Sequence, residues 1–281
     1  MKFFNNILKN IIYFFVSLIF LLFSNFSLVD SNSMSVFKPV GLDEEVESIK
    51  TPKTVNDVQE KETQSQKKVA FLTFDDGPCI NNTLKILNIL DKNNIKATFF
   101  IVGKKAEEYP DILKKLFDDG MCILPHTYSH EYKIYKNKET YHKDLMTCID
   151  CIKKITNKDV IKYTRFPGGS FNAVSNKNRM REIRESLKEE NMKYVDWNVS
   201  SGDALGDGVA AYKIKRNVIN QCKNKDIAVI LFHDAYYKKT TVEALPDIIK
   251  NLKDSGFIFK SLNDITPEEE DSLVKAKVIN R

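Results

Sequence analysis

Val69-Ala70-Phe71-Leu72-Thr73-Phe74-Asp75-Asp76-Gly77-Pro78 is a short apolar run that ends abruptly in two carboxylates and a Gly-Pro turn. From Asn82 onward Leu84, Leu87 and Leu90 recur at helical spacing, so the run reads as a buried strand feeding a helix. The alternation then repeats. Residues 97–102, 121–124, 163–166, 193–197, 227–232 and 257–259 read as strands, while 112–117, 141–155, 178–190, 210–222 and 242–253 read as helices. Strand followed by helix predicts a mostly parallel α/β sheet clad in helices, and about seven such units suggest a barrel, not necessarily closed. In that architecture chemistry collects at the C-terminal ends of the strands. Asp75 and Asp76 follow the first strand, His126 the third, Arg165 the next, Asp196-Trp197 another and His233 the last long one. Five separate fragments therefore converge on one rim.

The 281 residues suffice for one such barrel over residues 68–281 with an N-terminal appendage. A net charge of +5 with 29% charged residues is ordinary and gives no reason to expect nucleic acid as a partner. It suits a Lys-rich solvated surface, or weak attraction to an anionic polymer such as a cell wall. Lys2 and Lys9 precede the apolar run Ile11 to Phe23, which contains no acidic residue. Residues 1–30 thus read as an export segment, with the N-terminus cytosolic and the remainder outside. No Ala-x-Ala site follows, and the run extended to Val29 approaches the roughly 20 residues that span a bilayer, so an uncleaved membrane anchor is favoured over a signal peptide. Residues 31–67 are polar without apolar period and read as a flexible linker. The five cysteines, Cys79, Cys122, Cys148, Cys151 and Cys222, are an odd number and too few for a disulfide framework. Cys148 and Cys151 lack the second pair that a zinc site of this type needs, and read as ordinary half-buried thiols.

Only four histidines occur in the chain, and His126, His130 and His233 all lie in fragments at the predicted rim. Two histidines four apart can face one cation from a helix or tight turn, with one of Asp75 or Asp76 as third ligand. Three protein ligands leave a position open for water and a substrate carbonyl, the arrangement of a catalytic rather than a structural zinc. Zinc suits this set best, although cobalt, manganese, iron and nickel also accept two histidines and a carboxylate. Adjacent carboxylates point in different directions, so one can ligate while the other takes a proton from water. His233 ends the apolar strand Ala228-Val229-Ile230-Leu231-Phe232, where an imidazole is costly unless it faces a cleft, and there it can protonate a leaving amine.

Together the fragments resemble the polysaccharide deacetylases of carbohydrate esterase family 4, the NodB-homology family. Thr73-Phe74-Asp75-Asp76-Gly77, His126-Thr127-Tyr128-Ser129-His130, Arg165-Phe166-Pro167-Gly168-Gly169, Asp196-Trp197 and Leu231-Phe232-His233 match its five motifs in order. The resemblance covers residues 68–262. It implies a distorted (β/α) barrel in which Asp75 is the general base, Asp76, His126 and His130 bind the metal and His233 is the general acid. It also implies that Arg165 orients Asp75 and that Asp196 does the same for His233. Gly168 then offers a backbone N–H to the oxyanion, and Trp197 and Leu231 line the pocket for the acetyl methyl. One departure precedes the second motif, where Gly120-Met121-Cys122-Ile123-Leu124-Pro125 replaces the polar run usual in relatives and leaves open what supports the metal ligands.

Export and this chemistry imply an extracytoplasmic enzyme that removes acetate from N-acetylglucosamine units of peptidoglycan glycan strands. Chitin-like or exported poly-N-acetylglucosamine polymers and acetylated xylan are alternative substrates. A non-catalytic wall-binding protein that keeps the barrel is the alternative of a different class.

Overall fold

The computed structural model describes residues 68–206 and 208–281. The predicted membrane segment 1–30 and linker 31–67 lie outside the described residues. Among the described residues no helix is long and apolar enough to cross a membrane.

The fold is built outward from β1 (Lys68–Asp75), whose residues after Lys68 are all buried. It continues through α1 (Thr83–Lys92), β2 (Thr98–Ile101), α2 (Gly103–Glu108), α3 (Pro110–Asp118), β3 (Cys122–Pro125) and α4 (Lys138–Thr156). The second half comprises β4 (Tyr163–Thr164), α5 (Lys177–Glu189), β5 (Lys193–Tyr194), β6 (Val199–Ser200), α6 (Ala211–Cys222), β7 (Ile227–His233), α7 (Lys239–Asp254), β8 (Phe257–Lys260) and α8 (Pro267–Lys275). All named strand pairs are parallel. One edge of β1 runs along β7 for seven register pairs, and the other is shared by β8 over Lys68–Phe71 and β2 over Thr73–Asp75.

Alternation along β1 assigns its two faces. Ala70, Leu72 and Phe74 pack under helices with Leu87, Leu90, Ile248 and Ile249, while Val69 and Phe71 point inward to Phe100, Leu124, Val195 and Val229. Thr73 and Asp75 continue the inward face, which is why a buried strand ends in a functional carboxylate.

The ring of strands is not closed. Six strands form one sheet in the order β3-β2-β1-β7-β6 with β8 on β1, and β4-β5 form a separate pair. No strand ladder joins β4 to β3; the end of β3 is linked there by Arg165 N–H and Thr164 Oγ1–H, both donating to the Pro125 carbonyl, and by the His126 ring on the Arg165 carbonyl. Beyond β5 no ladder reaches β6, because Val195 pairs antiparallel with Ile279 of the C-terminal segment instead. The described strands number eight rather than about seven, since the two residues of β6 are too few to display a period. Helices α2 and α8 were not predicted; α8 opens with a Thr266–Glu269 capping box. All five cysteines are buried and free, and the Cys148 thiol donates to the Ile101 carbonyl.

Candidate active site

Parallel pairing sets Asp75 directly beside His233 in register, at the C-terminal ends of β1 and β7. Both lie on the inward alternation of their strands, so a carboxylate and an imidazole face one cavity from neighbouring strands. Asp76, one residue on, has left the strand with φ 81°, a conformation that L residues rarely adopt. That rotation is what lets two adjacent carboxylates serve one site.

His126 follows β3 and His130 follows four residues later in an irregular loop rather than a helix, with positive φ at Thr127 (67°) and His130 (55°). Asp76 Oδ1 lies 3.1 Å from His130 Nε2 and 3.6 Å from His126 Nε2. The ligand atoms of Asp76, His126 and His130 lie within 4.8 Å of one another, and the described residues offer no other such cluster. His126 Nδ1 sits 2.8 Å from the Arg165 carbonyl, which fixes the proton on Nδ1 and turns the Nε2 lone pair toward Asp76. Burial pushes His126 down to about 4, so the ring is a neutral ligand at ordinary pH. Burial opposes ionisation of Asp76, yet the three histidines around it hold its carboxyl well below the usual carboxylate range. Two neutral-capable imidazoles and one ionised carboxylate, fixed from behind and converging on one point, fit a divalent cation with open coordination positions.

Behind the histidine loop stands Asp144 of α4, whose Oδ1 accepts from Tyr128 N–H at 2.7 Å and Ser129 N–H at 3.0 Å. With the Arg165 carbonyl it supplies the support that the apolar run before His126 lacks.

Arg165 is fully buried and donates to Asp75 Oδ1 at 2.8 Å, to Thr73 Oγ1 at 2.8 Å and to the Val195 and Asp196 carbonyls. Its guanidinium stacks on Phe100, 4.0 Å from the ring centre. The expected pairing of Arg165 with Asp75 is present.

The partner of His233 is Asp203, and not Asp196 as the motif reading implied. His233 Nδ1 lies 2.7 Å from Asp203 Oδ1, while Asp203 Oδ2 accepts from His233 N–H and from Thr241 Oγ1–H. The reason is topological. The strand beside β7 is β6, paired through Val199↔Ile230 and Ser200↔Leu231, so the carboxylate that follows β6 reaches His233, whereas Asp196 follows β5 across the gap in the ring. Asp196 instead accepts from Ser170 N–H and Ser170 Oγ–H, securing the loop that carries Gly168. Burial works against a charged His233, but the Asp203 hydrogen bond and charge, with Asp76 and Asp75 beyond, outweigh it and push the imidazole up to about 9. It is therefore a proton donor at neutral pH.

The cavity in front of these groups has a volume of about 350 Å³, and Gly168, Trp197 and Leu231 line it together with Tyr132 and Lys238. Gly168 has φ 75°, and a Cβ there would stand 3.4 Å from Tyr132 Oη. Asp203, Asp144 and Tyr132 escaped the sequence reading. Asp203 stands three residues beyond the two-residue Val199-Ser200 strand, which is too short to announce itself, and Asp144 on a helix and Tyr132 in a loop carry no signal either.

Comparison with known proteins places this geometry. The polysaccharide deacetylase family model matches residues 62–194. A peptidoglycan-N-acetylglucosamine deacetylase of Bacillus cereus is 34% identical over 204 residues, covering 71% of each chain. A peptidoglycan-N-acetylmuramic acid deacetylase of Bacillus subtilis is 29% identical over 206 residues, covering 73% of this chain and 74% of the relative. Among solved structures, the catalytic domain of a peptidoglycan N-acetylglucosamine deacetylase from Eubacterium rectale superposes with a TM-score of 0.66 at 33% identity, covering 77% of this chain and 94% of that one. The open parallel α/β ring, the paired carboxylate and imidazole on neighbouring strands and these matches agree, and the chain belongs to the polysaccharide deacetylase family of hydrolases.

Proposed function

We propose that the protein hydrolyses the N-acetyl group of N-acetylglucosamine units in peptidoglycan, giving acetate and the free amino sugar. The observation that carries this reading is the register pair Asp75–His233. Each member is gripped from behind by a group of opposite charge, Arg165 and Asp203, and both face the Asp76–His126–His130 cluster. The peptidoglycan substrate is supported by the names of the relatives.

Asp75, oriented by Arg165, takes a proton from the attacking water, whose oxygen bonds to the acetyl carbon. As the carbon–nitrogen bond breaks, protonated His233 delivers its proton from Nε2 to the departing amine, and Asp203 keeps the ring oriented on Nδ1. Trp197, Leu231 and Gly168 line the cavity; we assign the first two to the wall against the acetyl methyl and the Gly168 backbone N–H to the oxyanion. A divalent ion on Asp76, His126 and His130, which we propose to be zinc, supplies Lewis-acid polarisation of the carbonyl and acidification of water when bound. We assign residues 1–30 to export or membrane anchoring and residues 31–67 to a linker, which leaves the catalytic domain at 68–281 outside the membrane. This assignment rests on the sequence alone.

The test is acetate release by the full chain loaded with zinc or cobalt, from purified peptidoglycan and from chitin oligomers, beside Asp75→Asn. Release from peptidoglycan that falls at least about 10²-fold in Asp75→Asn, and that disappears on chelation, supports the reading. Release from chitin oligomers alone moves the substrate, and none from either with metal bound turns the protein into a binding module.

A further inference from the structure

Tyr132 lines the catalytic cavity with Gly168, Trp197 and Leu231, yet the steps above give it nothing to do. We propose that its phenol O–H is a second hydrogen-bond donor to the acetyl oxygen, beside the Gly168 N–H, which makes Tyr132 a catalytic residue. The inference rests on the deacetylase reading above and on the part assigned there to Gly168.

Three observations carry it. The first is position. A Cβ on Gly168 would stand 3.4 Å from Tyr132 Oη and 3.6 Å from Tyr132 Cε1, so the tip of the tyrosine borders the space that a side chain at 168 would take. On the next residue, a Cβ on Gly169 would stand 3.0 Å from the Trp197 ring. Two glycines thus let an indole and a phenol close on one short stretch of backbone, the indole against the acetyl methyl and the hydroxyl beside the N–H assigned to the oxygen. The second is availability. Among the described residues neither the Tyr132 hydroxyl nor the Gly168 N–H has a hydrogen-bond partner. Two neighbouring donors from separate segments, both unspent, match the need of an oxygen that gains charge as the tetrahedral intermediate forms. The third is preorganisation. The Tyr132 ring stacks on Tyr135 at 6.4 Å between centres and 25° between planes. Tyr135 is buried, stacks in turn on Tyr141 and Phe166, and donates from its Oη to the Pro167 carbonyl at 2.8 Å. Pro167 precedes Gly168, so this one tyrosine ties the segment carrying the hydroxyl to the segment carrying the N–H. Tyr132 also follows His130 by two residues, which keeps the hydroxyl on the loop of the metal ligands. The phenol keeps its proton throughout; its bond strengthens as the acetyl oxygen becomes negative, whereas a bond to a sugar hydroxyl would not change.

Two measurements on the full, metal-loaded chain test this with Tyr132→Phe, which keeps the ring and its stacking and removes only the hydroxyl. In kinetics of acetate release, kcat is expected to fall about 10²-fold with KM little changed, as for loss of one donor to an oxyanion. In calorimetry the probes are an N-acetylglucosamine tetramer with one acetyl replaced by methylphosphonyl, a tetrahedral mimic, and the ordinary tetramer bound to Asp75→Asn. Removing the hydroxyl should weaken the mimic about tenfold or more and the planar amide much less. Unchanged kcat, a loss confined to KM, or equal weakening of the two probes overturns the assignment. Absence of acetate release by the unmodified protein, with the mimic still weakened selectively, would sink the deacetylase reading and leave the donor pair standing.

Discussion

At the scale of single residues, burial and near neighbours together decide the charge of His126, Asp76 and His233. His233 is the sharpest case. Because Asp203 pushes it up to about 9 against burial, its acid form predominates below that pH, and kcat/KM should be level through neutrality and fall as pH rises through about 9. Asp203→Asn removes the two largest upward influences, the hydrogen bond and its charge, and leaves only the more distant Asp76 and Asp75 against burial, which acts downward. We expect a loss of about 10²-fold and an alkaline limb displaced to lower pH, read from the pH dependence of kcat/KM; an unmoved limb would remove Asp203 from the mechanism. By linkage, the same shift stabilises the fold fully below the ordinary value of 6.5, and that contribution fades as pH rises through about 9. Asp75, Asp76, His126, His130 and His233 were legible in the sequence because histidine is scarce in this chain and carboxylates rarely close an apolar strand. Asp203 was not, because its position depends on which short strand lies beside β7, and two residues carry no period.

At the scale of elements the metal-ligand loop is the part that folding leaves least comfortable. Thr127 and His130 both have positive φ, and such residues persist only where surrounding bonds over-determine them. Asp144 of α4 supplies two of those bonds. Asp144→Ala should therefore leave the circular-dichroism spectrum unchanged while weakening metal affinity about tenfold or more, measured by competition with a chromogenic chelator. Unchanged affinity would show the loop to be held well enough by its other bonds, the Arg165 carbonyl to His126 and the Gly103 and Lys104 N–H groups to the Thr127 and Tyr128 carbonyls. The β1 turn obeys a different constraint. Gly77 lies so close to the Asp234 carboxylate that a Cβ would meet its Cγ at 2.6 Å. Asp234 is fully buried and takes a hydrogen bond from Thr83, so it cannot step aside. Gly77→Ala should cost about 1–3 kcal/mol with activity lost in parallel, by thermal melting and acetate release. Helices of three turns or more were readable from spacing, as in α4 and α7; the six-residue α2 was too short to show a period.

At the scale of the molecule an unclosed ring has to be held across its gaps, and Arg165 does much of this from inside. One side chain bonds to Thr73 and Asp75 of β1 and to the Val195 and Asp196 carbonyls beyond β5, joining the two sheets where no ladder runs. Arg165→Met leaves Asp75 buried without its cation and should lower stability by about 3–5 kcal/mol, visible as a lower denaturant midpoint. A shift under about 1 kcal/mol would mean that the sheets need no such tie. Strand-helix alternation announced the parallel α/β architecture and allowed for an unclosed ring, but the place of the opening was not legible, because it depends on Ile279, far along the chain, taking the place beside Val195 that a strand would fill. The position of Trp197 has a further use. It is the sole tryptophan of the 281 residues, and it stands on the wall of the catalytic cavity, its ring centre 5.8 Å from the Arg165 guanidinium. Excited at the red edge, where tyrosine does not absorb, the protein's emission comes from one indole at the reaction centre, so substrate entry, acetate departure and metal loading can be followed in unlabelled protein as changes in intensity and colour.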